Sequence, residues 1–469
     1  MGRRDKELLE NIEIEGIAAE GKALAHINGK VLFVPFAVPG DIVDVQVKNK
    51  RRGFMEGYVT RIIKPSDKRT DPFCSHYGVC GGCKWQSLPY PLQLEYKQQQ
   101  VVDQLTRIGK LSLPQVSPII GSEKIIEYRN KLEYTFSSKR WIESIAEADN
   151  LTDKDKLGLG FHISGYFDKV LDVKKCYLQP EPTNEVRLFI KDFAIDNNLS
   201  FFDLREQTGF LRNLVVRTSS TGEVMVIIVF AYEEKEKREF LLDAVKNRFP
   251  NITSLNWIIN DKKNDSVSDL DCHHYSGREF IYEKMEDLRF RIGPKSFYQT
   301  NSDQAYRLYS VVRDMANLKG DETVYDLYTG TGTIALFLAR NAYKVIGIEY
   351  IEEAVRDARE NANENNIGNC SFHSGDMKDV LSSRFIEEHG IPDVIVLDPP
   401  RAGIHPDVAN VVSNSSPARI IYVSCNPATQ ARDIALLGNQ YKVTKVQPVD
   451  MFPHTHHLEN VVLLEKYRI

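Results

Sequence analysis

The spacing of apolar and polar residues changes style twice along the chain. Residues 12–63, "IEIEGIAAEGKALAHINGKVLFVPFAVPGDIVDVQVKNKRRGFMEGYVTRII", alternate short β-rich runs with glycine turns, which predicts a small β-barrel. Pro65 to Pro72 reads as a linker. Between about 90 and 290 the pattern is mixed. "YPLQLEYKQQQVVDQLTRIG" has helical periodicity with Gly109 as its stop, while "KLEYTFSS", "LRNLVVRTSS" and "GEVMVIIVFAY" read as strands, and a helix is expected from Glu236 to Asn247, ahead of Pro250. Strands interrupted by single helices predict an α+β unit with an antiparallel sheet. From about 291, strands alternate with helices, as in "ETVYDLYTGTGTIALFLARNAYKVIGIEYIEEAVRDARENANENN", "PDVIVLDPPRAG" and "ARIIYVSCNPAT". That order predicts a mostly parallel α/β sheet covered on both faces, with ligands beyond the carboxyl ends of its strands. The expected division is a barrel at 1–62, a central α+β domain at 63–290 and a Rossmann-like α/β domain at 291–469.

With 469 residues, 42 % of them hydrophobic, the chain can fill two or three cores. No apolar run approaches bilayer length and Met1 to Glu10 is charged, so a cytoplasmic protein without membrane contact is expected. Seven cysteines at uneven spacing in a reducing compartment point to metals or catalysis before disulfides. The net charge of −5 gives no global sign of nucleic acid, but Lys48 to Arg69 holds eight Lys or Arg against Glu56 and Asp67. Lys48, Lys50, Arg51, Arg52 and Phe54 make this strip, on a barrel of the oligonucleotide-binding kind, a candidate RNA contact.

"DLYTGTGTIAL" sets Gly330 and Gly332 between a strand and a helix, and "KVIGIE" ends in Glu349 about twenty residues on. A glycine turn followed by an acid that grips a ribose diol serves both dinucleotide enzymes and methyltransferases that use S-adenosylmethionine. The spacing lacks the full GxGxxG run, and "LDPPRAG" follows at a later strand end, so the second class is favoured. Asp-Pro-Pro fixes the carboxylate of Asp398 at a stiff strand exit. Methyltransferases of exocyclic amines follow that turn with an aromatic; here Arg401 stands in its place.

The chemistry that suits a thiol beside such a cofactor is methylation of uracil at carbon 5. That carbon is a weak nucleophile until a thiolate adds to carbon 6, after which a base must remove the carbon 5 proton. Cys425 in "YVSCNP" supplies the thiol, and "DMFPHTHHLENVVLL" supplies Glu459 as the base, with His454, His456 and His457 as alternatives.

"DLYTGTG", "LDPPRAG", "YVSCNP" and "FPHTHHLENVVLL", in this order over about 140 residues, together with "GPKSFYQTN" at 293–301, resemble the RNA uracil-5-methyltransferases that act on large-subunit ribosomal RNA and on tRNA. The resemblance implies that Gln299, Tyr328, Thr333, Glu349, Asp376 and Asp398 line the cofactor or target site, that Cys425 is the nucleophile and that Glu459 accepts the proton. Thr333 and Asp376 stand where better-known members carry asparagine. The family commonly begins with an RNA-binding barrel, the TRAM domain.

"CSHYGVCGGCKW" holds Cys74, Cys80 and Cys83, and Cys176 offers a fourth thiolate. Four thiolates suit zinc or an iron–sulfur cluster. Ribosomal RNA members carry a [4Fe–4S] site with this spacing, which favours that cluster over zinc and 23S rRNA over tRNA as substrate. Cys272 and Cys370 read as ordinary packing residues. The expected molecule is a monomer that methylates a uridine in RNA by S-adenosylmethionine, the rivals being a non-catalytic RNA assembly factor and an exocyclic-amine methyltransferase.

Overall fold

The computed structural model describes residues 7–143, 151–438 and 440–467. Its first unit is a six-stranded sheet in which Leu8–Glu13, Ile42–Lys50, Phe54–Lys64, Lys30–Val34, Ala23–Ile27 and Gly16–Ile17 are successive neighbours. Small and branched residues such as Ala23, Leu32, Val43 and Val45 fill its core. The segment expected to be a linker is fastened rather than loose. The buried carboxylate of Asp41 accepts the amides of Val38 and Ser66 at 2.7 and 2.9 Å and pairs with Arg69 at 2.8 Å. Burial pushes that carboxyl up, but Arg69 and the two amides outweigh it and hold it below its ordinary range.

The helix Tyr90–Arg107 follows, on the sequence expected for it. The central sheet then orders its strands as Cys272–Gly277, Ser254–Ile259, Val224–Phe230, Leu211–Thr218, Lys131–Ser137, Gly158–Ile163 and Tyr166–Asp172. It departs from the antiparallel expectation at one pair. Val224–Phe230 and Ser254–Ile259 run parallel because the helix Lys235–Arg248 carries the chain back across the sheet between them. One face of this sheet has its own core with that helix and Thr183–Asp196; the other, through Val215, Ile227 and Val229, shares a core with the C-terminal unit.

The C-terminal sheet has seven strands in the order Cys370–Ser374, Lys344–Glu349, Thr323–Leu327, Val394–Leu397, Arg419–Ser424, Glu459–Lys466 and Tyr441–Val449. The first five run parallel, and Glu459–Lys466 is inserted antiparallel to its neighbours. Alternate residues serve two cores: Val324, Val345 and Val394 face one side, Tyr325, Ile346 and Ile395 the other. Burial on both faces explains the unbroken apolar runs. Asp326 is a charged side chain fully buried within the third strand.

Candidate active site

Five parallel strands end on one edge, and each delivers a candidate residue there. In spatial order these are Asp376, Glu349, Tyr328, Asp398 and Cys425. The antiparallel strand begins on the same edge with Glu459. Its register pairs Asn460 with Ser424, so Glu459 and Cys425 occupy the next position at the mouth of the ladder.

The glycine turn is built by backbone conformation. Tyr328, Gly330 and Gly332 take φ of +67°, +55° and +79°, and the amides of Tyr328 and Thr329 both donate to Ile348 O. A tyrosine in the left-handed region is strained, and such strain concentrates at functional sites. Glu349 accepts the Gly330 amide at 3.1 Å and the Ile351 amide at 3.0 Å, which fixes its carboxylate beside the turn. The two glycines differ in task. A Cβ on Gly332 would meet Ala358 at 3.0 Å and Phe372 at 3.2 Å, whereas one on Gly330 would meet nothing within 4 Å and would project into open space. Gly332→Ala is therefore expected to cost about 2 kcal/mol of stability, from strain and crowding together. Gly330→Ala should lose about half of that in a denaturant titration and yet bind the cofactor roughly tenfold more weakly by calorimetry.

Thr333 opens the helix Thr333–Ala339, and its hydroxyl lies 3.3 Å from that of Tyr309 beneath the turn. Gln299 is buried in the segment before the helix Ser302–Ala316; its carbonyl accepts from Asn130 at 2.9 Å. Thr331 reaches back to Phe297 O at 3.4 Å and ties that segment to the turn. Asp376 caps the helix Met377–Val380 by accepting from Lys378 N, and it lies near enough to Tyr328 to help burial raise the phenol to about 12.

Cys425 is presented by its neighbours. Ser424 Oγ accepts the Asn426 amide at 3.1 Å, Asn426 caps the helix Pro427–Leu436 through Ala428 N, and Pro427 takes the first helical position, where no amide is needed. Burial, then Glu459, pushes the Cys425 thiol up to about 11, with Arg401 pulling the other way. Glu459 is raised well above its ordinary range by burial and by Asp398, again opposed by Arg401. Asp398 is itself pushed up to about 7 by burial and by Asp326. Arg401 thus faces a nest of acids, a role that sequence reasoning passed over although its place after Asp-Pro-Pro had been noticed. The three histidines are different. Burial pulls His454, His456 and His457 down to about 4, 3 and 4, so they hold a proton poorly.

Asp326 is fully buried, with Oδ2 accepting from Thr329 at 2.5 Å and Oδ1 unpartnered, and burial pushes it up to about 7. A folded-state value above the unfolded one means that its contribution is fully present below about pH 4 and is lost as the pH rises through about 7. In Asp326→Asn the fall in melting temperature between pH 5 and pH 8 should shrink by several degrees.

The segment 449–458, leading into Glu459, is where the units meet. Lys97 and Asp450, both fully buried, pair at 2.6 Å; Lys97 also donates to Phe452 O, and Tyr90 donates to Asp450 at 2.8 Å. Gln93 accepts the His454 amide, and His454 O accepts the amides of Lys84 and Trp85, just past Cys83. Trp85 in turn donates to Gly21 O of the first unit at 3.0 Å.

The four cysteines Cys74, Cys80, Cys83 and Cys176 line one cavity of about 590 Å³, with Arg129, Lys131 and Lys175 among its other walls. Burial raises the Cys80 thiol and pushes Cys83 and Cys176 up to about 12 and 11, helped by the neighbouring thiols. Among the described residues no three His, Cys, Asp or Glu side chains converge closely enough to ligate a single metal ion. The basic hairpin stands exposed from Lys48 to Phe54. Among the described residues no helix is long and apolar enough to cross a membrane.

A seven-stranded sheet of this order, with a glycine turn after one strand and an acid closing the next, defines the α/β methyltransferases that use S-adenosylmethionine. A family model described as tRNA (uracil-5-)-methyltransferase matches residues 263–467, and a TRAM domain model matches 10–60. An uncharacterized RNA methyltransferase of Bacteroides thetaiotaomicron is 56 % identical over 96 % of this chain and all of its own. Another from Porphyromonas gingivalis is 55 % identical over 97 % of this chain and 99 % of its own. The crystal structure of Pyrococcus abyssi tRNA (uracil-54, C5)-methyltransferase with S-adenosyl-L-homocysteine superposes with a TM-score of 0.75 at 28 % identity, over 97 % of this chain and all of that one. The chain belongs to the RNA uracil-5-methyltransferase family, with an N-terminal TRAM domain. It is an S-adenosylmethionine-dependent enzyme that methylates uracil at carbon 5 in RNA.

Proposed function

We propose that the reaction runs through a covalent adduct of Cys425 with carbon 6 of the target uracil. The observation that carries this reading is the placement of Cys425 and Glu459 at one ladder mouth, beside the edge where Glu349 and the Gly330 turn await a cofactor. Open space at Gly330 and a fixed carboxylate at Glu349 fit an adenosyl ligand, which Gln299, Tyr328, Thr333, Asp376 and Asp398 help to enclose. When bound, S-adenosylmethionine supplies an electrophilic methyl on a positively charged sulfur, and that charge offsets the surrounding acids. Cys425 releases its thiol proton to solvent, with Arg401 favouring the thiolate against burial, and the sulfur then adds to carbon 6 and makes carbon 5 nucleophilic. After methylation Glu459 takes the carbon 5 proton, the carbon 6–sulfur bond breaks and the thiolate departs. A carboxylate whose proton affinity is raised by burial suits that task better than histidines held near 4. Carbon 6 is reached from above the ring, so the target nucleotide leaves its stack.

A tRNA uridine is the substrate we put first, against the preference for 23S rRNA drawn from the cysteines. The matched family model and the Pyrococcus enzyme are both described by tRNA, and the latter is covered end to end. The four-cysteine cavity favours 23S rRNA as the second reading. For the cavity itself, zinc would need four sulfurs about 3.8 Å apart, given its usual bond length. Thiols that share one cavity without closing to single-ion distances fit the bulkier [4Fe–4S] cluster better. Iron and acid-labile sulfide in anaerobically purified protein, lost in Cys80→Ser, is the expected result; zinc in their place contradicts it. The reading goes with a division near residues 62 and 290 and with a cytoplasmic monomer.

The test incubates the protein with methyl-labelled S-adenosylmethionine and unmodified tRNA and 23S rRNA, then separates the RNAs and identifies the labelled nucleoside. Label in 5-methyluridine of tRNA is expected. The same nucleoside in 23S rRNA keeps the chemistry and reverses the substrate, and label on another base overturns the mechanism.

A further inference from the structure

The strand Lys131–Ser137 is the wall between two hollows. On one side lies the cysteine cavity; on the other is a pocket of about 270 Å³ between the central sheet and Pro294–Lys295, and Lys131 and Glu133 line both. Arg217 lines the second pocket and is only 6 % exposed. It donates one N–H to Ser296 O at 2.7 Å, while its buried Nε has no partner. Among the described residues, neither Arg217 nor Lys131 forms an ion pair with a carboxylate. Of the two acids in the pocket, Asp265 is paired with Arg212 at 3.0 Å, and Glu133 sits at the surface beyond ion-pair distance. Lys295 adds a third cation at the mouth, where it donates to Ser268 O and Leu270 O and lies 3.5 Å from Glu353. Burial, and then the charge of Arg217, lowers the proton affinity of Lys131, with Glu133 opposing them from a distance.

A buried guanidinium beside a half-buried ammonium, with Glu133 acting on both and Glu283 on Arg217 only from beyond ion-pair distance, is incompletely neutralised, and an anion in the pocket would complete it. A guanidinium with an unused N–H beside an ammonium matches the oxygens of a phosphate. We propose that this pocket binds a backbone phosphate of the substrate RNA and thereby registers the strand that carries the target uridine. The inference rests on the RNA reading above. Its link to the reacting site is short. Ser296, held by Arg217, is three residues before Gln299, and Asn130, next to Lys131, bonds Gln299 O and Thr300 O. A phosphate seated here is fixed relative to the segment that enters the cofactor site.

The test measures RNA affinity against salt for the wild type, Lys131→Gln and Arg217→Lys, with S-adenosylmethionine affinity and melting temperature as controls. Lys131 is partly exposed, so its variant should fold. Expected for Lys131→Gln is roughly tenfold weaker RNA binding at low salt, with a slope of log affinity on log salt shallower by about 0.7 to 0.9, one phosphate contact. Arg217→Lys keeps the charge and loses the fork, so it should weaken binding with little change of slope. Affinity and slope equal to the wild type in both variants, with the controls unchanged, overturn the proposal. So does stabilisation of the wild type by inorganic phosphate that Lys131→Gln abolishes without any effect on RNA. Failure of the RNA reading looks different, because the wild type would then bind the cofactor and methylate no RNA.

Discussion

Glu459→Gln is expected to stop the enzyme after the covalent step and to accumulate a protein–RNA complex that survives a denaturing gel. Glutamine preserves the size of the side chain but cannot take the carbon 5 proton, so the methylated adduct has no route to eliminate the thiol. Loss of a positioned base typically lowers turnover by about 10²- to 10⁴-fold, and the upper part of that range is expected because the nearby histidines are held near 4 or below. Cys425→Ala should form no complex while retaining S-adenosylmethionine affinity, since Cys425 follows the fifth strand and the glycine turn follows the third. A gel band in Cys425→Ala equal to that of Glu459→Gln would assign the nucleophile elsewhere.

Lys97→Met is expected to have the largest effect on stability. Lys97 and Asp450 are both out of water, and removing the ammonium leaves a buried carboxylate without its countercharge. Such a loss is worth about 3–5 kcal/mol, a fall of roughly 10 °C in melting temperature for a domain of this size. Asp450 accepts from Phe452 N through Oδ1 and from Tyr90 OH through Oδ2; an uncharged amide keeps the first bond, and its NH2 can donate to the Tyr90 oxygen in place of the second. The double variant Lys97→Met with Asp450→Asn should therefore recover most of the stability. Full stability of the single variant in a thermal melt would mean that the pair is not the anchor of the segment before Glu459.

These two predictions sit at opposite ends of what the sequence discloses. Cys425 and Glu459 were legible as candidates because their neighbours are: a β-rich run ends in Ser-Cys-Asn-Pro, and a His-rich turn precedes the last apolar strand. What the sequence did not reveal is that the last strand enters antiparallel, which brings the two residues to one mouth. The helix Tyr90–Arg107 was equally legible as a helix, yet its buried stripe reads Gln93, Lys97, Val101, Leu105. Periodicity treats a lysine as a solvated position, and only the contact with Asp450, more than three hundred residues away, turns it inward. The parallel pair in the central sheet was missed for a related reason, since alternation fixes faces and not strand direction. Gln299, Tyr328, Glu349, Asp398 and the four cysteines were singled out as candidates through motifs. Arg217 and Lys131, whose meaning lies in the lack of a direct ion pair among the described residues, belong to no motif at all.

The central claim is the covalent role of Cys425, and the most direct measurement is mass spectrometry of the peptide that carries RNA in the Glu459→Gln complex after nuclease and protease digestion. The expected result is a single modified peptide spanning the Tyr422–Thr429 turn, with a methylated uridine on Cys425. A uridine on Cys272, Cys370 or one of the four cavity cysteines, or 5-methyluridine formed at the wild-type rate with no adduct anywhere, would contradict it.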